Sequence, residues 1–239
     1  MRGFKGVVLL LGVCWAVYAP LWAFDNDHYS DAKFQKSCQK CDLSNAPLQF
    51  ENLAGAVLGG SNIQAANLES ANLEGADLRG ADLRGANLAN ANLRGALLQG
   101  AKLEGAQLEE ADLEGAEVSG ASFAKAHLKL ANLISLKGEG ASFNGADLTL
   151  ARAERAHLQK ADFRKARLFW TKFDLSNLAG SNFESAVLEE ASFNGANLKE
   201  TRFNGAQLVA TSIHAAQFLG ATWTDGQLCK KGSIGFCQK

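Results

Sequence analysis

The sequence predicts an all-β solenoid, and three regularities in the order of its residues carry that prediction. A large apolar residue recurs at every fifth position between residues 43 and 228, at 36 of 38 positions, with Gly138 and Ala153 as the exceptions. A small residue, usually alanine, lies two positions before nearly all of them. At intervals of 20 residues the large residue is also of one type, leucine at one phase and an aromatic residue at another.

A period of five fits neither an α-helix, which repeats every 3.6 residues, nor a strand, which alternates every two. The 24 glycines also argue against a continuous helix. The chain must therefore turn every five residues. If four such sides close one coil, like side chains stack at the inter-strand spacing of about 4.8 Å. In each side the large residue and the small one two positions before it point inward, because alternate residues of an extended segment face the same way.

Residues 71–75 (Ala-Asn-Leu-Glu-Gly) and 76–80 (Ala-Asp-Leu-Arg-Gly) resemble the pentapeptide-repeat family, whose pattern is A-(D/N)-L-x-x. The resemblance implies a right-handed quadrilateral β-helix, here of about nine coils of 20 residues. On this interpretation residues 41–228 form the β-helix, residues 24–40 form an N-terminal cap and residues 229–239 form a C-terminal cap.

The first 23 residues have the pattern of a secretory signal peptide. Arg2 and Lys5 give a positive start, and residues 6–23 carry no charge. Cleavage after Ala23 would release the rest of the chain into the periplasm or the medium. An uncharged run of this length also approaches the roughly 20 residues that span a bilayer, so a membrane anchor formed by residues 6–23 is the alternative.

Four cysteines remain after the signal segment, and an even number in an exported chain suggests disulfides. Pairing across the two ends of a long solenoid would exceed the roughly 7 Å limit between bridged α-carbons. The expected pairs are therefore Cys38–Cys41 and Cys229–Cys237. The alternatives for the first pair are free thiols, a redox motif, or half of a zinc site.

One stretch of the repeat departs from its pattern. The small inward position holds Leu136 and the large one holds Gly138, so the two sizes are exchanged within one side. We expect a local bulge there, which either is a compensated packing defect or forms a functional loop.

Composition limits the classes of function. With 47% hydrophobic residues the chain is not disordered. The balance of 24 Lys+Arg against 25 Asp+Glu removes the simplest argument for a general nucleic-acid binder and weakens the case for a polyanion mimic. The four histidines lie at different phases of the 20-residue period, and no Ser/His/Asp set, phosphate loop or carboxylate pair stands out. We expect no enzyme activity, no cofactor and no metal ion. The Asp and Asn residues before each central leucine are interpreted as groups that bond the turns.

The candidate binding surface is an outward column of apolar residues. Leu130, Leu150 and Trp170 share one phase of the 20-residue period, with Phe169 beside Trp170, whereas outward positions are normally polar. The flanking cations complete the candidate interface: Arg164, Lys165, Arg167 and Lys172. Exposed apolar patches rimmed by polar groups often mark interfaces. The alternative is that these corner residues fold back over neighbouring coils.

Charge is also zoned along the chain. Residues 101–120 carry a net charge of −5, and residues 121–180 carry +5. An acidic belt therefore precedes a basic one. This zoning either serves solubility or supports association of one molecule with another.

These observations favour an exported, non-enzymatic solenoid that binds or scaffolds a protein in the cell envelope. The expected partner is another protein or a second copy of the chain. We expect no small-molecule substrate and no nucleic acid, and membrane contact only if residues 6–23 stay attached. Family members that protect DNA gyrase do so, as the resemblance implies, with an acidic DNA-like surface in the cytoplasm. A gyrase- or topoisomerase-interacting DNA mimic is therefore one alternative, and a thiol-disulfide redox protein acting through Cys38 and Cys41 is the other.

Overall fold

The computed structural model describes residues 25–239, so the predicted signal segment, residues 1–23, lies outside the described residues. The described chain begins with a short helix, α1 (Asn26–Ser30), followed by one π-helical turn (Asp31–Gln35). The Asp25 carboxylate caps α1 by accepting hydrogen bonds from two backbone N–H groups of its first turn, at 2.9 and 3.2 Å. No helix in the described range is long and apolar enough to cross a bilayer.

From Ser37 to Thr222 the backbone forms a solenoid in which every fifth residue pairs in parallel with the residue 20 positions later. Each pair is an isolated one-residue β-bridge followed by a two-residue turn, so the described residues contain no longer strand. The Leu73 N–H donates to the Asn92 C=O (2.7 Å), and the Asn92 N–H donates to the Ala71 C=O (3.0 Å). Four five-residue sides therefore make one coil, as the 20-residue recurrence predicts.

The core consists of vertical columns of like side chains, all of them enclosed by the four sides. The leucines of the first coils are fully buried. On one side the neighbouring rings of a phenylalanine column stack nearly parallel, with centroids 4.8–5.1 Å apart. Its members are Phe123, Phe143, Phe163, Phe183 and Phe203. A second column, Phe173 and Phe193, meets the first edge-to-face, the geometry that aromatic pairs prefer. The predicted stacking of like on like is confirmed.

The turn that ends each side places its second residue in the left-handed region, as at Gly75 (φ 63°). The residue at the bridge position supports the turn from outside. Asn72 Oδ1 accepts from the Glu74 N–H (3.2 Å). The same bond recurs at most bridge positions that hold Asp or Asn, which confirms their interpretation as turn-bonding groups.

The predicted bulge near Gly138 is wrong. Lys137 pairs in register with both neighbouring coils, so the solenoid passes through this stretch without interruption. Leu136 is fully buried, and the space that Gly138 leaves is occupied by neighbours. A Cβ added to Gly138 would lie 2.9 Å from a methyl group of Val118 and 2.9 Å from one of Leu158. Side chains, rather than the backbone, thus absorb the exchange of sizes.

The solenoid ends earlier than the leucine pattern predicts. Leu228, which the pattern places in the core, is 63% exposed. The chain reverses at Gly226 (φ 81°), and Leu228 then pairs antiparallel with Thr222, while Ile234 pairs antiparallel with Gln217. The prediction of a buried Leu228 is therefore wrong, because this turn carries the segment across the top of the last coil.

Gly138→Ala is expected to destabilise the protein by about 1–3 kcal/mol, because the added methyl group overpacks a filled site. Gly59→Ala is the matched control. Its Cβ would meet only ordinary contacts at 3.6 and 3.8 Å, and its φ is not positive. The control should be neutral or stabilising by about 0.4–1 kcal/mol. Urea unfolding midpoints of the two variants check this, and equal midpoints would show that Val118 and Leu158 do not fill the site.

Candidate protein-interaction surface

Leu130, Leu150 and Trp170 lie above one another on one corner of the solenoid, and we call them the apolar ridge. Their exposed fractions are 45%, 40% and 48%. Each is the second residue of its turn, with φ of 62°, 62° and 53°. The ridge therefore projects large apolar side chains into solvent from a backbone conformation that L-residues rarely adopt.

The corner that carries the apolar ridge contains no glycine at this turn position between residues 50 and 210, although all its residues have positive φ. The column reads Phe50, Ser70, Asn90, Glu110, Leu130, Leu150, Trp170, Glu190 and Ala210. On another corner Gly80, Gly100 and Gly120 follow one another. The left-handed conformation costs an L-residue roughly 1–2 kcal/mol. The backbone conformation therefore does not account for the leucines and the tryptophan at this corner.

A shallow groove of about 510 Å³ runs along the apolar ridge. The ridge forms its apolar wall. Arg152 and Lys172, which occupy bridge positions on the next side, form a basic wall, and Glu190 and Ser192 lie at one end. The Trp170 indole Nε1–H donates to Glu190 Oε2 (2.7 Å), which fixes the edge of the ring on the following coil while its face stays partly open.

The structure brings together only some of the predicted interface residues. Lys172 lines the groove with the ridge, whereas Phe169 is half-buried beside Trp170, with ring centroids 6.3 Å apart. Arg167 lies on the preceding side near Asp147 (3.5 Å). Arg164 and Lys165 lie at the corner before that side, away from the groove.

Arg152 is the lining cation that sequence reasoning missed, although it lies 20 residues before Lys172 and shares its phase. At a different corner, Leu175, which is not a ridge residue, reaches over the following coil. A Cβ on Gly195, one coil later, would lie 2.8 Å from Leu175 Cδ2.

The sequence model of the pentapeptide repeats matches in eight copies over residues 37–80, 76–115, 139–174 and 176–214, which is more than half of the chain. The chain belongs to the pentapeptide-repeat family. Its fold is accordingly a right-handed β-helix solenoid. The matches leave out residues 116–138, which include the side where Leu136 and Gly138 exchange sizes.

Three solved pentapeptide-repeat structures illustrate the similarity. HetL, a protein involved in heterocyst differentiation regulation from the cyanobacterium Nostoc, is 28% identical, with 84% of this chain and 96% of HetL covered and a TM-score of 0.39. Rfr23 from the cyanobacterium Cyanothece is 25% identical, with coverage of 54% and 98% and a TM-score of 0.47. QnrB1, a plasmid-mediated fluoroquinolone resistance protein, is 18% identical, with coverage of 64% and 82% and a TM-score of 0.48.

A search of the curated protein sequences gave no match. All three TM-scores of the solved structures lie below 0.5. The fold assignment therefore depends on the family match and on the bridges between coils.

Ion pairs between coils offset much of the charge zoning of this pentapeptide-repeat protein. Glu117 of the acidic belt pairs with Lys137 of the basic belt (2.9 Å). Asp112 pairs with Arg94 (3.2 Å). Lys172, by contrast, has no ion pair within residues 25–239. The groove thus contains a cation that forms no ion pair with any carboxylate of the described residues.

The structure brings the four described cysteines together in two pairs, each within one end of the solenoid. The Cys38 and Cys41 sulfurs lie 1.94 Å apart, and those of Cys229 and Cys237 lie 1.97 Å apart. Cys38 and Cys41 are both buried. In the described part of the chain, no three His, Cys, Asp or Glu side chains are placed to hold a metal ion.

The Arg164 side chain pairs with the Asp162 carboxylate and does not line the groove. It forms two hydrogen bonds to Asp162, at 2.9 and 2.7 Å. Partial burial by itself would raise the pKa of Asp162. The hydrogen bonds from the Arg164 side chain and backbone outweigh that effect and hold the pKa below its usual range.

Arg164→Gln is expected to raise the pKa of Asp162, because it removes the side-chain bonds and leaves the burial. With a folded-state pKa below the unfolded one, the pair stabilises the protein above the usual aspartate pKa and loses that contribution as the pH falls through the folded value. An NMR titration of the Asp162 carboxyl in both proteins measures the shift. An unchanged pKa would show that Arg164 is not held by Asp162.

Proposed function

We propose that this protein is an exported, non-enzymatic quadrilateral β-helix of about nine coils that binds another protein in the cell envelope through the groove beside the apolar ridge. The observation that carries the proposal is the ridge itself. Three large apolar side chains are partly exposed at positions where glycine would relieve the backbone.

The two walls of the groove complement one another chemically. Leu130, Leu150 and Trp170 offer apolar surface to a partner, and Trp is enriched among residues that dominate binding energy. Arg152 and Lys172 add charge opposite the ridge, and Lys172 has no acidic partner in the described chain. An apolar centre with charged groups beside it is the usual composition of a protein interface.

The cysteines and the N-terminal sequence support the assignment to the cell envelope. Disulfides persist in oxidising compartments. The pairs Cys38–Cys41 and Cys229–Cys237 each lie at an end of the solenoid, where a covalent link would hold a terminal segment in place. The uncharged residues 6–23 after Arg2 and Lys5 supply the route of export.

The DNA-mimic alternative requires a continuous acidic surface. The net negative charge of residues 101–120 covers one coil, and the following 60 residues are net positive. Because acidic residues of that coil pair with Arg94 and Lys137, the distribution favours a partner that binds the groove over one, such as gyrase, that recognises a DNA-like acidic surface. An assay of gyrase supercoiling in the presence of the protein separates the two.

Replacing Trp170 and Leu150 together with serine is expected to abolish partner capture without unfolding the protein, because both side chains are partly exposed. Phe50→Ser is the matched control. Phe50 occupies the same corner column near the opposite end and is 74% exposed. Chemical cross-linking in periplasmic and membrane fractions should show an adduct with the wild type and the control that the double variant loses. An adduct of unchanged intensity in the double variant would remove the groove from the interface.

Fractionation with N-terminal sequencing tests export. The expected result is a periplasmic or secreted chain that begins at Phe24. A membrane-bound chain that retains residues 6–23 would establish the anchor instead. A cytoplasmic chain that begins at Met1 would contradict export.

A further inference from the structure

The last coil of the solenoid is covered on only two of its four sides. The segment after Gly226 crosses the sides formed by residues 216–220 and 221–225, and we call residues 227–239 the cap. The Phe218 N–H donates to the Ser233 C=O (3.0 Å), and the Gly220 N–H donates to the Cys229 C=O (3.0 Å). These two sides therefore have the backbone partners that a further coil would otherwise supply.

The other two sides, residues 206–210 and 211–215, form an open edge up to the corner at Ala215, which Gly235 of the cap approaches. One coil below, the Leu188 N–H donates to the Gln207 C=O (2.8 Å) and the Glu190 N–H donates to the Val209 C=O (2.9 Å). The equivalent N–H groups of the last coil have no hydrogen-bond partner among residues 25–239. They belong to Leu208, Ala210, Ile213 and Ala215. An unpaired edge of this kind readily accepts another strand.

Apolar side chains are exposed at the same end. Leu208 and Ile213 are only partly buried, although the residues below them in their columns are fully buried, and Val209 is 63% exposed. On the cap, Leu228 and Ile234 point into solvent. Their backbone N–H and C=O groups also have no partner within the described range. Both the open edge and the cap thus lack a covering layer.

We propose that two copies of the chain form a symmetric dimer through these ends, with the cap of each copy lying on the open edge of the other. The cap adds one layer over two sides of the last coil, so the end of each copy is one layer higher on those sides than on the other two. When two such ends face each other, the high sides of one copy fit onto the low sides of the other. A two-fold axis through the corners before residue 206 and after residue 215 exchanges the covered sides with the open ones. A symmetric interface uses the same patch on both copies, as this arrangement does.

The same axis defines which residues meet. Leu228 lies above Thr222 within its own chain, and the rotation places it above Val209 of the partner subunit. The free C=O of Leu228 then lies close to the unpaired N–H groups on either side of Val209. The rotation reverses the direction of the cap relative to the side beneath it, so the contact is parallel, the orientation in which successive coils of the solenoid pair. Strand addition of this type gains affinity from main-chain bonds and specificity from the side chains between them.

Light scattering coupled to gel filtration over a concentration series tests the proposal. The purified wild-type chain should pass from the mass of one chain to the mass of two. Val209→Glu and Leu228→Lys should each raise the dissociation constant of the dimer by about tenfold or more, because each variant buries an unpaired charge. Phe50→Glu, an equally exposed apolar site near the opposite end, should dimerise like the wild type. Circular dichroism of each variant shows that it is folded.

Mixing Val209→Glu with Leu228→Lys should restore the dimer. In the mixed dimer the new carboxylate faces the new ammonium group at one contact, while the other contact keeps Val209 against Leu228. A wild type that stays monomeric throughout, or a mixture that is no tighter than its components, would overturn the proposal. So would loss of the dimer in Trp170→Ser, which would place the dimer contact at the apolar ridge. Failure of ridge binding alone leaves this dimer unaffected, so the two proposals fail separately.

Discussion

The hydrogen bonds between one coil and the next impose the constraint that the remaining features satisfy. Each bridge joins residues 20 positions apart, and the N–H and C=O groups around it leave room for five residues per side. The stretch around Gly138 shows how strict this constraint is. A bulge there would break the bridges of Lys137 to both neighbouring coils. Movement of the Val118 and Leu158 side chains into the space costs less than those bonds.

The same constraint turns sequence phase into surface shape. A residue chosen at one phase recurs on one vertical line, so a few substitutions produce a continuous strip. The apolar ridge arises in this way, and so does its basic wall, since Arg152 and Lys172 are one coil apart on the adjacent side. Between the ridge and the basic wall the surface is formed by backbone that has the same conformation in every coil. A binding surface can therefore be built on this solenoid without any insertion into the repeat.

The sequence was sufficient for the coil, the core columns and the turn-bonding role of Asp and Asn, because each follows from a period that many residues repeat. It failed where a single position decides. Leu228 keeps the phase of the leucine column, yet the turn at Gly226 removes it from the core. At the candidate site, phase located the ridge residues, and closeness in sequence to Trp170 located Lys172. Arg164 is close to Trp170 in sequence, but the fold places it at another corner, where it bonds Asp162.

The number of residues in one coil also determines which deletions this architecture can accept. Loss of 20 consecutive residues from the regular stretch would rejoin the chain at the same phase and shorten the solenoid by one complete coil. Loss of five would preserve every local contact pattern but rotate all that follows by a quarter revolution. Phenylalanines would then continue a column of leucines. The outward strip of Leu130, Leu150 and Trp170 would lie on a different side of the solenoid relative to α1.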